Sequence, residues 1–227
     1  MAFSPLSVLV LAVAPGFFWL WFFYRQDRLE PEPQSLVLRT FAWGVLVTLP
    51  ILAVQLALNL PPFWNAVVVA PITEEYGKYW VVRRTVFFHR EFDEPVDGIV
   101  YGAAAGLGLA SLENVFYLIQ ASAFPASFWG VFWIRALLAV PGHALYAAIW
   151  GYSLGLARCC PRYRRPAVIR SGLALAMILH GLYNLILSLE PAATLGMLIF
   201  IPLIWRMVNR RILRALALSP YHPQRSA

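Results

Sequence analysis

Six side chains in this sequence have the types and spacing for acid–base chemistry: Glu74, Glu75, Glu113, His143, His180 and Asn184. In the run Glu74-Glu75-Tyr76-Gly77-Lys78, the lysine follows the first carboxylate by four residues and the second by three, so it reaches either across one helical turn. Two carboxylates sharing one cation leave a net negative site, suited to a general acid or base and equally to a structural ion pair or a proton or cation path. Pro71 precedes them and breaks or starts a helix, and Thr73 could cap the segment that follows.

Leu109, Glu113 and Tyr117 share one helix stripe. Glu113 has no cation within a turn and must find its partner on another element, in a neutral hydrogen bond or in a site. Pro141-Gly142-His143 presents a single imidazole, which alone is more often a hydrogen-bonded structural group than a catalyst. His180-Gly-Leu-Tyr-Asn184 sets two hydrogen-bonding side chains at i and i+4, a pair suited to an oxyanion or to plain helix adhesion. No Ser, Thr or Cys stands in a nucleophile motif, which leaves activation of water as the natural hydrolytic chemistry. Cys159 and Cys160 are adjacent in a basic loop, without the second pair or the nearby histidine of a zinc site, and read as reduced thiols.

The elements that must position these residues are membrane spans. The 227-residue chain is 60% hydrophobic and 13% charged, with mean hydropathy +0.66, whereas soluble domains carry about 25% charge. About 20 apolar residues cross about 30 Å of hydrocarbon. Seven runs qualify: Leu6–Tyr24, Leu36–Leu58, Pro62–Val82, Asp97–Gln120, Phe128–Ala157, Val168–Leu189 and Pro191–Val208. The first is a retained span and not a signal peptide. The third holds Glu74, Glu75 and Lys78, and hydropathy alone would drop it.

Charge keeps it. Of the 18 Lys and Arg residues, 16 flank alternate connections, beginning with Arg25 and Arg28, Arg83 and Arg90, Arg158 to Arg170, and Arg206 onward, and none lies near Pro61, Ala123 or Glu190. Such alternation predicts an all-α, polytopic transmembrane helix bundle of about seven spans, N-terminus outside and C-terminus cytoplasmic, in the cell membrane. Residues 1–220 form one domain and 221–227 a disordered tail. The net charge of +7 is topology charge, and no aromatic-plus-basic stripe for nucleic acid appears.

Lys78, Arg135, Glu74, Glu75, Glu113, His143 and His180 fall inside the spans, where each costs several kcal/mol unless paired or hydrated. One shared polar interior is the economical arrangement. At about 1.5 Å rise per residue, Glu74, His143 and His180 converge near mid-membrane, while Glu113, about 24 Å from Asp97, lies too far out unless its helix starts later or tilts. Gly102/Gly106 and Gly151/Gly155 have the spacing of close-packed helix faces. A transporter should show repeat symmetry or paired broken helices, and only Pro71 interrupts a span near a charge. A non-catalytic scaffold stays open.

Together these motifs resemble the PrsW family of glutamic intramembrane proteases, related to the CAAX prenyl endopeptidases and bacteriocin-processing membrane proteins. The matching residues are Glu74-Glu75-x-x-Lys78, then Pro95-Val96-Asp97-Gly98-Ile99-Val100-Tyr101-Gly102 leading into Glu113-Asn114-x-x-Tyr117, then His143 with Gly151 and Gly155, and His180-Gly-Leu-Tyr-Asn184. They cover roughly half the chain. Leu109 stands where the family's second motif usually has an aromatic residue.

The resemblance implies cleavage of a membrane-embedded or juxtamembrane peptide bond. Glu74 would activate water and Glu113 would assist, in the place of a histidine in the related endopeptidases. His143 would orient water or substrate, and His180 and Asn184 would stabilise the oxyanion. Glu75 and Lys78 would hold the site, with Tyr117 supporting. Family members are implicated in cleaving anti-sigma factors. No cofactor is expected, with a zinc-dependent protease as the alternative.

Overall fold

In hydrocarbon every backbone N–H and C=O must be satisfied within the protein, which leaves the α-helix as the spanning element for so apolar a chain. The computed structural model describes residues 4–189 and 195–223, and these form seven helical stretches with no strand among them. They are α1 (Pro5–Tyr24), α2 (Gln34–Leu58), α3 (62–85), α4 (Asp97–Ser122), α5 (Pro125–Cys159), α6 (Arg165–Ser188) and α7 (Met197–Leu218). α1, α2, α4, α5 and α6 are long and apolar enough to cross a bilayer. The acid- and lysine-bearing α3 is nevertheless one continuous helical stretch. α7 runs ten residues past the expected end at Val208, because Val208, Ile212 and Ala215 keep a buried stripe going through its arginines. Residues 191–194 of that expected span, and 224–227 of the expected tail, lie outside the described residues. Tyr221 is held, its hydroxyl donating to Asp93 at 2.7 Å.

α4 is the axis. It is buried over most of its length, against α1, α2 and α5. Glycine makes this possible at Gly98 and Gly151, where a methyl on either would fall on the other's carbonyl. Gly102 and Gly106 continue the same face against Ala147 and His143.

Two helices pass a proline by way of a π-turn. In α3 the turn Asn65–Val69 is π-helical and Pro71 follows, and in α5 Arg135–Ala139 is π-helical and Pro141 follows. Proline has no N–H to give, so the carbonyl five residues back is left without its π-type donor. Side chains from other helices supply it. Asn184 Nδ2 donates to Ala66 O at 2.8 Å, and Trp19 Nε1 donates to Ala136 O at 3.0 Å. Pro71 therefore neither starts nor ends a helix. Thr73 does not cap one, and its hydroxyl bonds back to Val69 O at 2.8 Å.

Loops α1–α2 and α3–α4 and the end of α7 meet at one end of the bundle, joined by α5–α6 through Arg158, which donates to Phe87 O. Arginines here cap helix C-termini: Arg39 bonds Thr85 O, and Arg165 bonds Arg158 O and Cys160 O. Acidic side chains are buried beside them. Burial pushes the carboxyl of Asp27 up to about 8, with the charge of Glu94 adding to it. Burial raises Glu32 to about 8 as well, against the pull of the Tyr101 hydroxyl that donates to it.

Candidate active site

Glu74 and Glu75 are consecutive on α3, about 100° apart around the helix at 3.6 residues per turn, so they face different surroundings. Glu75 is fully buried and fully engaged. Its Oε1 accepts from Lys78 Nζ at 2.7 Å and from His180 Nδ1 at 2.9 Å, and its Oε2 from Trp150 Nε1 at 3.0 Å. Glu74 is the reverse. Gln55 Nε2 reaches Oε1 at 3.5 Å, and Oε2 is buried with no hydrogen-bond partner. Around that oxygen stand His143 Nδ1 at 3.7 Å, His180 Nε2 at 3.9 Å and Lys78 Nζ at 3.9 Å. At these separations Oε2 makes no direct hydrogen bond to any of the three.

The fixed donors and acceptors assign the imidazoles. A carboxylate only accepts, so neutral His180 places its proton on Nδ1, toward Glu75, and turns a bare Nε2 toward Glu74. An ammonium only donates, so His143 accepts at Nδ1 from Lys78 at 2.9 Å and carries its proton on Nε2, 3.2 Å from Glu113 Oε2. Tyr146 stacks on the His180 ring at 4.9 Å and fixes its plane.

Glu113 joins the cluster, although its position along α4 places its backbone far out. α3 and α4 run in opposite directions, and helical side chains lean toward their own N-terminus. The two carboxylates therefore lean toward each other. Arg135, from the π-turn of α5, bonds Glu113 Oε2 at 3.3 Å, donates to Asn114 Oδ1 and lays its guanidinium 3.8 Å over the Tyr117 ring. Three carboxylates thus meet two cations in one polar interior.

A cavity of about 410 Å³ opens on this cluster. Glu74, Glu113, His143, His180, Asn184 and Tyr117 line it; Glu75 and Lys78 stand behind the wall. Its outer rim is Pro62, Asn65, Leu187 and Ser188, at the end of the bundle opposite the arginine-rich loops. Asn184 is on the cavity, with one of its two amide hydrogens committed to Ala66 O. Sequence reasoning gave no place in the site to Arg135, noted only as a cation in need of a partner, or to Gln55, Trp150 and Tyr146. The last two sit in an apolar run that signals nothing.

Glu74, His143 and His180 offer donor atoms within 4.8 Å of one another, a set of the type that holds zinc. Their placement does not suit a metal as it stands. Lys78 occupies the His143 Nδ1 lone pair, Glu113 faces the other ring nitrogen, and the ammonium sits 3.9 Å from Glu74 Oε2, where it would repel a cation.

A family model described as "PrsW family intramembrane metalloprotease" matches residues 32–207. The chain is 38% identical over 214 residues to Protease PrsW of Geobacillus kaustophilus (strain HTA426), covering 92% of each protein. It is 34% identical to Protease PrsW of Bacillus subtilis (strain 168), covering 92% of this chain and 95% of that protein. The corresponding protein of Clostridioides difficile (strain 630) is 25% identical over 215 residues. No solved structure matches.

Proposed function

The chain belongs to the PrsW family of intramembrane proteases, and from that premise we propose that it hydrolyses a peptide bond of a membrane-embedded protein with water activated by Glu74. The observation that carries this reading is the contrast between adjacent carboxylates. Glu75 has every oxygen engaged, while Glu74 lines the cavity and keeps its Oε2 without a hydrogen-bond partner. A water bridging the Glu74 carboxylate and His180 Nε2 from the cavity side gives one hydrogen to each and aims its lone pair at a carbonyl carbon. Glu74 takes the proton as the C–O bond forms and returns it to the leaving amine nitrogen. Glu113, held by His143 and Arg135, flanks the water on the far side.

Neutral His180 accepts at Nε2 and so binds the water; the oxyanion falls to the second N–H of Asn184. Glu75 and Lys78 hold His180 and His143 in these tautomers. The protein sits in the cell membrane with its arginine-rich end cytoplasmic, and the cavity opens toward the other face.

Glu74→Gln, assayed in liposomes on a single-span substrate with fragment ends read by mass spectrometry, should lose at least about 100-fold in rate while staying folded. Unchanged turnover would reject the assignment. Because the donor set is of zinc type, zinc content and titration with 1,10-phenanthroline test the other chemistry. Metal-free protein should keep full activity, and stoichiometric zinc lost together with activity would move water activation onto a metal.

A further inference from the structure

A second group of carboxylates lies outside the mechanism, at the arginine-rich end. Asp27 and Glu32 come from the α1–α2 loop, Glu94 from the α3–α4 loop, and Asp97 is the first residue of α4. Asp27, Glu94 and Asp97 each turn one carboxylate oxygen to a common point, all within 4.8 Å of one another. They are 3%, 1% and 0% exposed, and Glu32 is 1% exposed.

Two of the eight oxygens are accounted for. Asp97 Oδ2 accepts the N–H groups of Asp93 and Glu94 at 2.7 and 2.8 Å, and Glu32 Oε2 accepts the Tyr101 hydroxyl. Both oxygens of Asp27, both of Glu94, Oε1 of Glu32 and Oδ1 of Asp97 are buried without a hydrogen-bond partner. No lysine or arginine among the described residues forms an ion pair with any of the four. Arg39, Arg158 and Arg165 at this end of the bundle bond backbone carbonyls.

Carboxyls gathered this closely and this deeply hold protons in the absence of a counter-charge, and a cation seated among the unpartnered oxygens would displace those protons and supply the missing positive centre. The donors are oxygen only, which selects hard ions over zinc or copper. We propose that Asp27, Glu94 and Asp97, with Glu32 alongside, bind a hard divalent cation of the calcium, magnesium or manganese kind. The ion ties the α1–α2 and α3–α4 loops to the base of α4, the helix that carries Glu113 at its other end. This site shares no residue with the cavity, so it stands or falls independently of the proteolytic mechanism.

The test uses full-length protein, stripped with EDTA, in phosphatidylcholine nanodiscs and titrated separately with CaCl2, MgCl2 and MnCl2. At least one should bind saturably at one ion per chain and raise the melting temperature. The Asp27→Asn, Glu94→Gln double variant keeps the shapes and removes the charges. It should bind at least roughly 10–100-fold more weakly, the loss that follows from disturbing even the groups behind the ligands, and, in EDTA, melt no lower than the parent. Asp27→Asn alone, which leaves α3 and α4 untouched, should show the same loss in smaller measure. The inference is overturned if none of the three ions binds the parent protein, or if these variants bind as tightly as it does.

Discussion

Lys78 holds two parts of the site at once, bonding Glu75 at 2.7 Å and His143 at 2.9 Å from a fully buried position. Removing one partner of a buried ion pair costs on the order of 3–5 kcal/mol, because the other charge is left uncompensated. Lys78→Met should therefore lose that much in denaturant unfolding in micelles, while Glu74→Gln, with no ion partner closer than 3.7 Å, should stay within about 1 kcal/mol of the parent. If the two variants unfold alike, the division of labour between the glutamates is wrong. That division was not legible in the sequence, where Glu74 and Glu75 are equivalent candidates for Lys78. Only the helical rotation between them, and the imidazole and indole brought up from α6 and α5, tells them apart. Arg135 was legible as a cation that needed a partner, but nothing in its local sequence pointed to Glu113, 22 residues away.

Among the helices, the small-residue stripes were legible as packing faces, and the structure uses them so. Gly98 and Gly151 meet backbone to backbone, and a methyl at Gly98 has nowhere to go but into a carbonyl. Gly98→Ala should destabilise by at least about 1–3 kcal/mol, as overpacking does. Gly130→Ala, whose methyl meets nothing within 4 Å, should be neutral or slightly stabilising. Thermal melts of the two in the same detergent decide it. The π-turns escaped the sequence reading because a proline announces a missing donor without saying what will replace it. Here Asn184 and Trp19 replace it from helices far away in sequence. Hydropathy likewise ended the last helix at its first arginines, since it averages over faces and misses a buried stripe beneath a charged one.

For the molecule as a whole, alternating charge kept the third helix as an element where hydropathy alone would have dropped it. α3 carries Glu74 and Glu75 and would have been discarded as too polar, yet without it the arginine loops would fall on both faces. Reporter fusions at His89 and Arg162 should place both loops in the cytoplasm; either one appearing outside would overturn the orientation. The depth of Glu113 was misjudged because rise per residue locates a backbone and not the end of a leaning side chain.

The size of the cavity sets a condition on what can be cut. A helix about 10–12 Å wide, rising 1.5 Å per residue, fills roughly 120–170 Å³ for each residue. The recess of about 410 Å³ beside Glu74 is small on that scale, and Glu74 itself is 5% exposed. In an intact helix the scissile carbonyl is bonded to the N–H four residues on and ringed by side chains, out of reach of so recessed a carboxylate. A substrate must first unwind near its scissile bond and offer a short extended stretch, so a glycine or proline that loosens its helix there should govern cleavage more than the side chains at the cut.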